Sequence, residues 1–122
     1  MNESDQYSSN EIQSLSQSEL ESRALINTAS KLNYIREHWE EGKAGLDEAL
    51  DKNRKLWAII ASAMQEEDCP QPADVRQNIL NLSVFIFKRT IDILTDPKPE
   101  SLRVLIDINM NLAKGLNHKG VD

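Results

Sequence analysis

Large apolar residues recur along the chain at alternating steps of three and four, which is the spacing of one face of an α-helix. Four such stripes are separated by breaks at Gly42 to Gly45, Glu66 to Pro72 and Asp96 to Pro99. The breaks are rich in Gly, Pro or acidic residues, which oppose continued helix. The pattern therefore predicts an all-α fold, a small up-and-down bundle of about four helices.

The first two stripes share a regular spacing but differ in one polar position. The first helix is expected to start at Ser18, whose hydroxyl would form a capping box with Glu21. Its apolar face consists of Leu25, Ala29, Leu32, Ile35 and Trp39. The second face consists of Leu46, Leu50, Asn53, Trp57, Ile60 and Met64. Asn53 thus interrupts an otherwise apolar face.

The third helix has an excess of apolar residues, and Pro72 is well placed as its first residue. Its main stripe is Val75, Ile79, Leu82, Ile86 and Ile93. Further apolar residues surround its middle, namely Leu80, Val84, Phe85 and Phe87. Either a four-helix core covers them, or one or two of them line an exposed groove that receives a partner helix.

A second polar position, Asn109, lies on the face of the fourth helix. That face consists of Leu102, Leu105, Ile106, Asn109, Leu112, Ala113 and Leu116. A buried amide must find hydrogen-bond partners, so Asn53 and Asn109 are expected to bond each other or nearby backbone and to fix the helix register. Gly115 is expected to end this helix.

The division of the 122 residues follows from these stripes. Residues 1–17 are rich in Ser, Gln, Asn and acidic side chains, which predicts a flexible N-terminal tail. Residues 18–117 are predicted to form a single helical domain, and residues 118–122 are predicted to form a short C-terminal tail. The N-terminus lacks the basic and then apolar order of a secretory signal, and no apolar run reaches membrane-spanning length. We therefore expect a cytoplasmic protein without membrane insertion.

Charge argues against nucleic acid as the default partner. The net charge is -6 and the isoelectric point about 4.9, so the average surface repels polyanions. Lys52, Arg54 and Lys55 form a local basic cluster, which we interpret as a solvated face rather than an RNA contact. No direct nucleic-acid binding is expected.

Candidate catalytic or metal-binding patterns are weak. His38 and His118 are eighty positions apart, and the single cysteine, Cys69, has no second Cys for a disulfide or a metal pair. The spacing of Asp107, Asn109 and Asn111 resembles the start of a calcium loop but lacks its later Gly and Glu. We therefore expect no enzyme activity, no metal and no cofactor.

Three segments resemble the FlaF family, flagellar biosynthesis regulators of alphaproteobacteria, and the resemblance covers roughly residues 7–116. They are Asn53-Arg54-Lys55-Leu56-Trp57, Ile79-Leu80-Asn81-Leu82-Ser83-Val84-Phe85 and Ile106-Asp107-Ile108-Asn109, followed by Gly115-Leu116. Residues 64–72 depart from the pattern. The resemblance marks Asn53, Arg54, Leu56, Trp57, Leu82, Asp107 and Asn109 as a structural motif. Trp57, Leu56 and Leu82 are expected mainly in the core.

The resemblance implies a cytoplasmic protein needed for flagellin production and export. On this interpretation the FlaF-like domain binds unassembled flagellin through its third and fourth helices, with Leu80, Val84, Phe85 and Phe87 as the contact. The family acts in opposition to the post-transcriptional regulator FlbT, which is a further candidate partner. The alternative is a regulatory adaptor that acts on flagellin messenger RNA, directly or through FlbT, without itself binding flagellin.

Overall fold

The structure is a computed structural model that describes the backbone of residues 17–121 and the side chains of residues 17–116. The tail expected for residues 1–17 lies outside the described residues, except for Gln17, which is helical. Four long helices make up the described chain: α1 (Gln17–Glu37), α2 (Leu46–Met64), α3 (Ala73–Thr95) and α4 (Arg103–Val121). No strand occurs between residues 17 and 121. The predicted all-α bundle of about four helices is therefore confirmed.

The links between helices are short, as the breaks in the sequence predict. A single helical turn (Trp39–Gly42) and a 3-10 turn (Lys43–Gly45) connect α1 to α2, and a second 3-10 turn (Pro99–Leu102) precedes α4. Gly42 permits a close approach, because a Cβ at this position would lie 3.1 Å from the Cα of Ile35. The absence of a side chain thus lets the connection fold back onto the end of α1.

The four predicted apolar faces meet in one core. Every residue predicted on the α2 face is buried, and so are Leu25, Ala29, Leu32 and Ile35 of α1. Half-buried residues at the core margin are Trp39, Val75, Leu82 and Leu112. Fully burying a side chain such as Leu or Ile contributes about 1.5–3 kcal/mol each, so these faces supply most of the drive to fold.

Helices α1 and α4 pack most closely. Both helices carry small buried side chains, since Ser22 and Ala29 of α1 and Ala113 of α4 are each about 1% exposed. The Ser22 hydroxyl donates a hydrogen bond of 3.2 Å to the backbone oxygen of Ala113. A short side chain can reach a neighbouring backbone only where two helices approach closely, so the first and last helices form a tight pair.

Two predicted helix starts and one predicted helix end are wrong in detail. Ser18 lies inside α1 rather than before it, and Glu21 accepts a hydrogen bond of 3.1 Å from the Gln17 side-chain nitrogen instead of closing a capping box. Pro72 precedes α3 instead of being its first residue. Helix α4 continues through Gly115 to Val121. A helical Gly costs about 1 kcal/mol relative to Ala, which is less than the burial of Leu116 returns.

Candidate functional site

A cluster of hydrogen bonds joins three helices inside the apolar core. We call Thr28, Asn53, Trp57 and Asn109 the polar cluster. The Asn109 amide nitrogen donates to the side-chain oxygens of Asn53, at 2.7 Å, and of Thr28, at 2.9 Å. The Asn109 oxygen accepts from the Trp57 indole nitrogen at 2.8 Å. The two asparagines thus bond each other, as the sequence predicts, and tie α1, α2 and α4 into one register.

The two asparagines of the polar cluster differ in how many of their hydrogen-bonding groups have a partner. Asn109 is 0% exposed and uses both of its amide groups. Asn53 is also 0% exposed, but its side-chain nitrogen has no hydrogen-bond partner among the described residues. An unpaired buried donor costs about 1–3 kcal/mol of folding free energy. The hydrogen bond between Asn53 and Asn109 therefore offsets this cost only in part.

Other residues of the sequence motif lie at the surface or the core margin. Arg54 is exposed and forms an ion pair of 2.9 Å with Asp51. Asp107 is exposed, and one of its carboxylate oxygens lies 3.7 Å from the Arg103 guanidinium. Leu56 and Leu82 are half-buried against the core. The motif therefore has two parts. Trp57 and the two asparagines pack in the core, whereas Arg54 and Asp107 are exposed and pair with other surface residues.

The basic cluster is neutralised by acidic residues of its own helix. Lys55 lies 3.0 Å from Asp51, which also pairs with Arg54, and Lys52 lies 3.6 Å from Glu48. Hydrogen bonds from Arg54 and then from Lys55 hold the pKa of the Asp51 carboxyl below its usual range. A surface of alternating charges on one helix is typical of a solvated face and does not present the net positive field that RNA binding needs.

An exposed apolar stripe follows α3 on the flank of its core face. We define the α3 stripe as Leu80, Val84, Phe87, Ile91 and Leu94, which recur at steps of four and three. Val84, Ile91 and Leu94 are 51%, 64% and 47% exposed, while Leu80 and Phe87 are half-buried against the core. No charged residue interrupts these five positions, which span about 21 Å along the helix axis. Such a stripe is the surface that an amphipathic helix covers.

The α3 stripe contains three of the four predicted contact residues and two that sequence reasoning missed. Leu80, Val84 and Phe87 belong to it, whereas Phe85 is 40% exposed and lies about 100° away around the helix from Val84. The Phe85 ring faces the Arg89 guanidinium at 5.7 Å instead. Ile91 and Leu94 were missed, although their spacing from Phe87 continues the stripe.

A pocket of about 290 Å³ opens where the starts of α1 and α3 meet the ends of α2 and α4. Its walls are mostly apolar, and Glu21 is the one charged side chain among the described residues that line it. The lining residues are Gln17, Ser18, Glu21, Ile60, Ala63, Met64, Cys69, Pro70, Gln71, Val75, Ile79, Leu112, Gly115 and Leu116. We call it the end pocket.

No group of three or more His, Cys, Asp or Glu side chains between residues 17 and 116 is arranged to hold a metal ion. None of the helices in that part of the chain combines the length and hydropathy needed to cross a membrane.

Together these features define a small four-helix protein with a polar cluster in its core and an apolar stripe outside. Its sequence matches the family model described as flagellar protein FlaF over residues 3–116, which is nearly the whole chain. The chain belongs to the FlaF family and is therefore a flagellar protein, which confirms the resemblance seen in its three sequence segments. Comparison with curated proteins and with solved structures gave no significant match.

Proposed function

We propose that this protein binds unassembled flagellin in the cytoplasm and thereby supports and regulates flagellin synthesis and secretion. The observation that carries the proposal is the α3 stripe, in which Ile91 is the most exposed large apolar residue described, at 64%. Membership of the FlaF family supplies the flagellar context. The role is one of binding and shielding, without catalysis.

The stripe has the geometry that a helical ligand requires. Its residues recur with the period of one helix face, so a second helix can lie alongside and bury the same side chains at each turn. The terminal regions of flagellin are helix-forming and unfolded before assembly, as the family resemblance implies. A segment that folds only on binding suits such a surface, because the contact then shields it from premature assembly.

A matched pair of substitutions tests the surface. We would titrate monomeric flagellin from the same organism into the wild-type protein, Ile91→Lys and Ile59→Lys, by calorimetry. Ile59 is 59% exposed but lies on α2, outside the α3 stripe. We expect the wild-type protein to bind with a micromolar or lower dissociation constant, which corresponds to a binding free energy of about -8 kcal/mol or more favourable. Ile91→Lys should weaken binding at least about tenfold, whereas Ile59→Lys should not.

The outcomes separate the proposal from its alternative. If both variants weaken flagellin binding equally, or if neither variant weakens it, the α3 stripe is not the contact surface. No binding by the wild-type protein, together with binding to FlbT, would favour the regulatory adaptor. Direct contact of that adaptor with RNA has little support, because Lys52, Arg54 and Lys55 are already paired with acidic residues.

A further inference from the structure

We infer that the end pocket is a second binding site, which accepts a basic side chain flanked by apolar residues from a protein partner. The site is independent of the α3 stripe, because its lining residues on α3 are Val75 and Ile79, which do not belong to the stripe. Its chemistry combines an apolar cavity with one buried carboxylate.

The cavity is apolar and large enough for an alkyl side chain. Ile60 and Met64 of α2, Val75 and Ile79 of α3, and Leu112 and Leu116 of α4 line it. Its volume of about 290 Å³ far exceeds the roughly 30 Å³ that one water molecule occupies in the liquid. Apolar walls hold water poorly, so a ligand that brings methylene groups gains free energy by filling them.

The carboxylate of Glu21 gives the cavity its charge preference. Glu21 is only 9% exposed and lines the pocket. Its carboxylate accepts a hydrogen bond of 3.1 Å from the Gln17 amide, which is a neutral donor and leaves the negative charge uncompensated. Among the side chains of residues 17–116, no Lys or Arg lies within ion-pair distance of it. Buried charges are normally paired, so the site favours a cation.

A lysine or arginine side chain meets both requirements at once. Its methylene stem is apolar, and its charged head can reach a carboxylate at the edge of the cavity. A neighbouring large apolar residue of the partner would fill the space that the stem leaves. An anionic segment would face repulsion from Glu21, and a purely apolar one would leave the carboxylate buried without an opposite charge.

A small-molecule probe tests this chemistry without any protein partner. We would add n-hexylguanidinium to the full-length protein labelled at its methionine methyl groups, and follow the resonances by NMR. Met64 lines the pocket, whereas Met110 is 38% exposed on α4 and does not line it, so Met110 serves as an internal control. We expect the Met64 resonance to shift with a dissociation constant on the order of millimolar, as suits so small a ligand.

Matched ligands and variants isolate the charge. 1-Hexanol should bind at least about tenfold more weakly than n-hexylguanidinium to the wild-type protein. Glu21→Gln should remove that difference, whereas Glu19→Gln, on the same helix but outside the pocket lining, should keep it. The comparison of the two ligands on the wild-type protein holds even where Glu21→Gln fails to fold.

Two results would overturn the inference. Equal binding of 1-hexanol and n-hexylguanidinium would remove the charge preference, and no shift at Met64 with either ligand would remove the site. None of these measurements involves flagellin, so they leave the proposed function of the α3 stripe untouched.

Discussion

Asn109 donates a 2.7 Å hydrogen bond to Asn53 across the core and so links α4 to α2. The same amide nitrogen reaches Thr28 of α1, so a single side chain contacts both other helices. Such a bond forms in only one register of the three helices, because sliding any of them by a turn separates the partners by about 5 Å. The polar cluster therefore specifies how the helices align, whereas the surrounding leucines and isoleucines mainly supply stability.

Replacement of Asn109 by Leu should destabilise the fold by about 2–4 kcal/mol, because the Trp57 indole N–H and the Asn53 oxygen lose their partners in a dry core. Urea denaturation followed by circular dichroism measures this loss. Asn111→Leu, at an exposed position of the same helix, should change stability by less than about 0.5 kcal/mol. An equal effect of the two variants would show that the cluster contributes nothing specific.

The double variant Asn53→Leu with Asn109→Leu should lose less stability than the sum of the two single variants, by about 1 kcal/mol or more. Each single change leaves a buried partner unsatisfied, whereas the double change removes both members of one bond. A complete double-mutant cycle from denaturation curves gives this coupling energy. Strict additivity would contradict the hydrogen bond between the two side chains.

Trp57→Phe should cost about 1–2 kcal/mol, because it removes one buried hydrogen bond and leaves the Asn109 oxygen unpaired while retaining most of the ring. Trp57→Ala should cost about 3–5 kcal/mol, since it also opens a large cavity in the core. Thermal or urea unfolding ranks the variants. A Trp57→Ala protein that keeps its melting temperature but loses partner binding would show that this residue acts in recognition instead.

Replacement by alanine should change the stability of the fold in opposite directions at two glycines. Gly42→Ala should destabilise by about 1 kcal/mol, because the new Cβ would press on the Ile35 backbone at 3.1 Å. Gly115→Ala should stabilise by about 1 kcal/mol, since a Cβ there meets nothing within 4 Å and Ala favours the helix. Melting temperatures of the two variants, measured in parallel, test the pair, and a common direction of change would contradict it.

The Asp51 carboxyl should titrate below its usual range, because Arg54 and then Lys55 donate hydrogen bonds to its ionised form. A lowered pKa in the folded state means that the stabilising contribution is present at neutral pH and is lost as the pH falls through that pKa. NMR titration of the side-chain carboxyl carbon measures it directly. Because the pair is exposed, molar salt should raise the pKa again, and an insensitive pKa would contradict an electrostatic origin.

The helical architecture could be predicted because the core repeats with the helix period. The α2 face from Leu46 to Met64 is buried throughout, and the asparagine that interrupts it finds the partner expected on α4. The errors lie at helix ends, where local rules compete with packing. Gly115 resembles a helix stop, yet Leu116 next to it is buried and extends α4.

The candidate surfaces could be predicted only in part. Each residue of the α3 stripe follows a residue of the buried face that runs from Ile79 to Ile93. Because the helix is apolar on several sides, the sequence pattern does not distinguish Ile91 and Leu94 as members of a separate, exposed stripe. The end pocket has no sequence pattern at all, because four helix ends and a loop contribute to it. Glu21 could be recognised as a pocket residue only after the helices were in place.

The close pairing of α1 with α4 determines when the chain can fold during its synthesis. The apolar face of α1 has its main partner at the opposite end of the sequence, and contacts of such long sequence separation form slowly because the loop that they close is long. On the ribosome, α2 can pack against part of α1 as soon as it is translated, but the surface of α1 that α4 covers stays exposed until α4 has been translated. A nascent chain in this state is open to premature association, and a slow start to translation of α4 would prolong it.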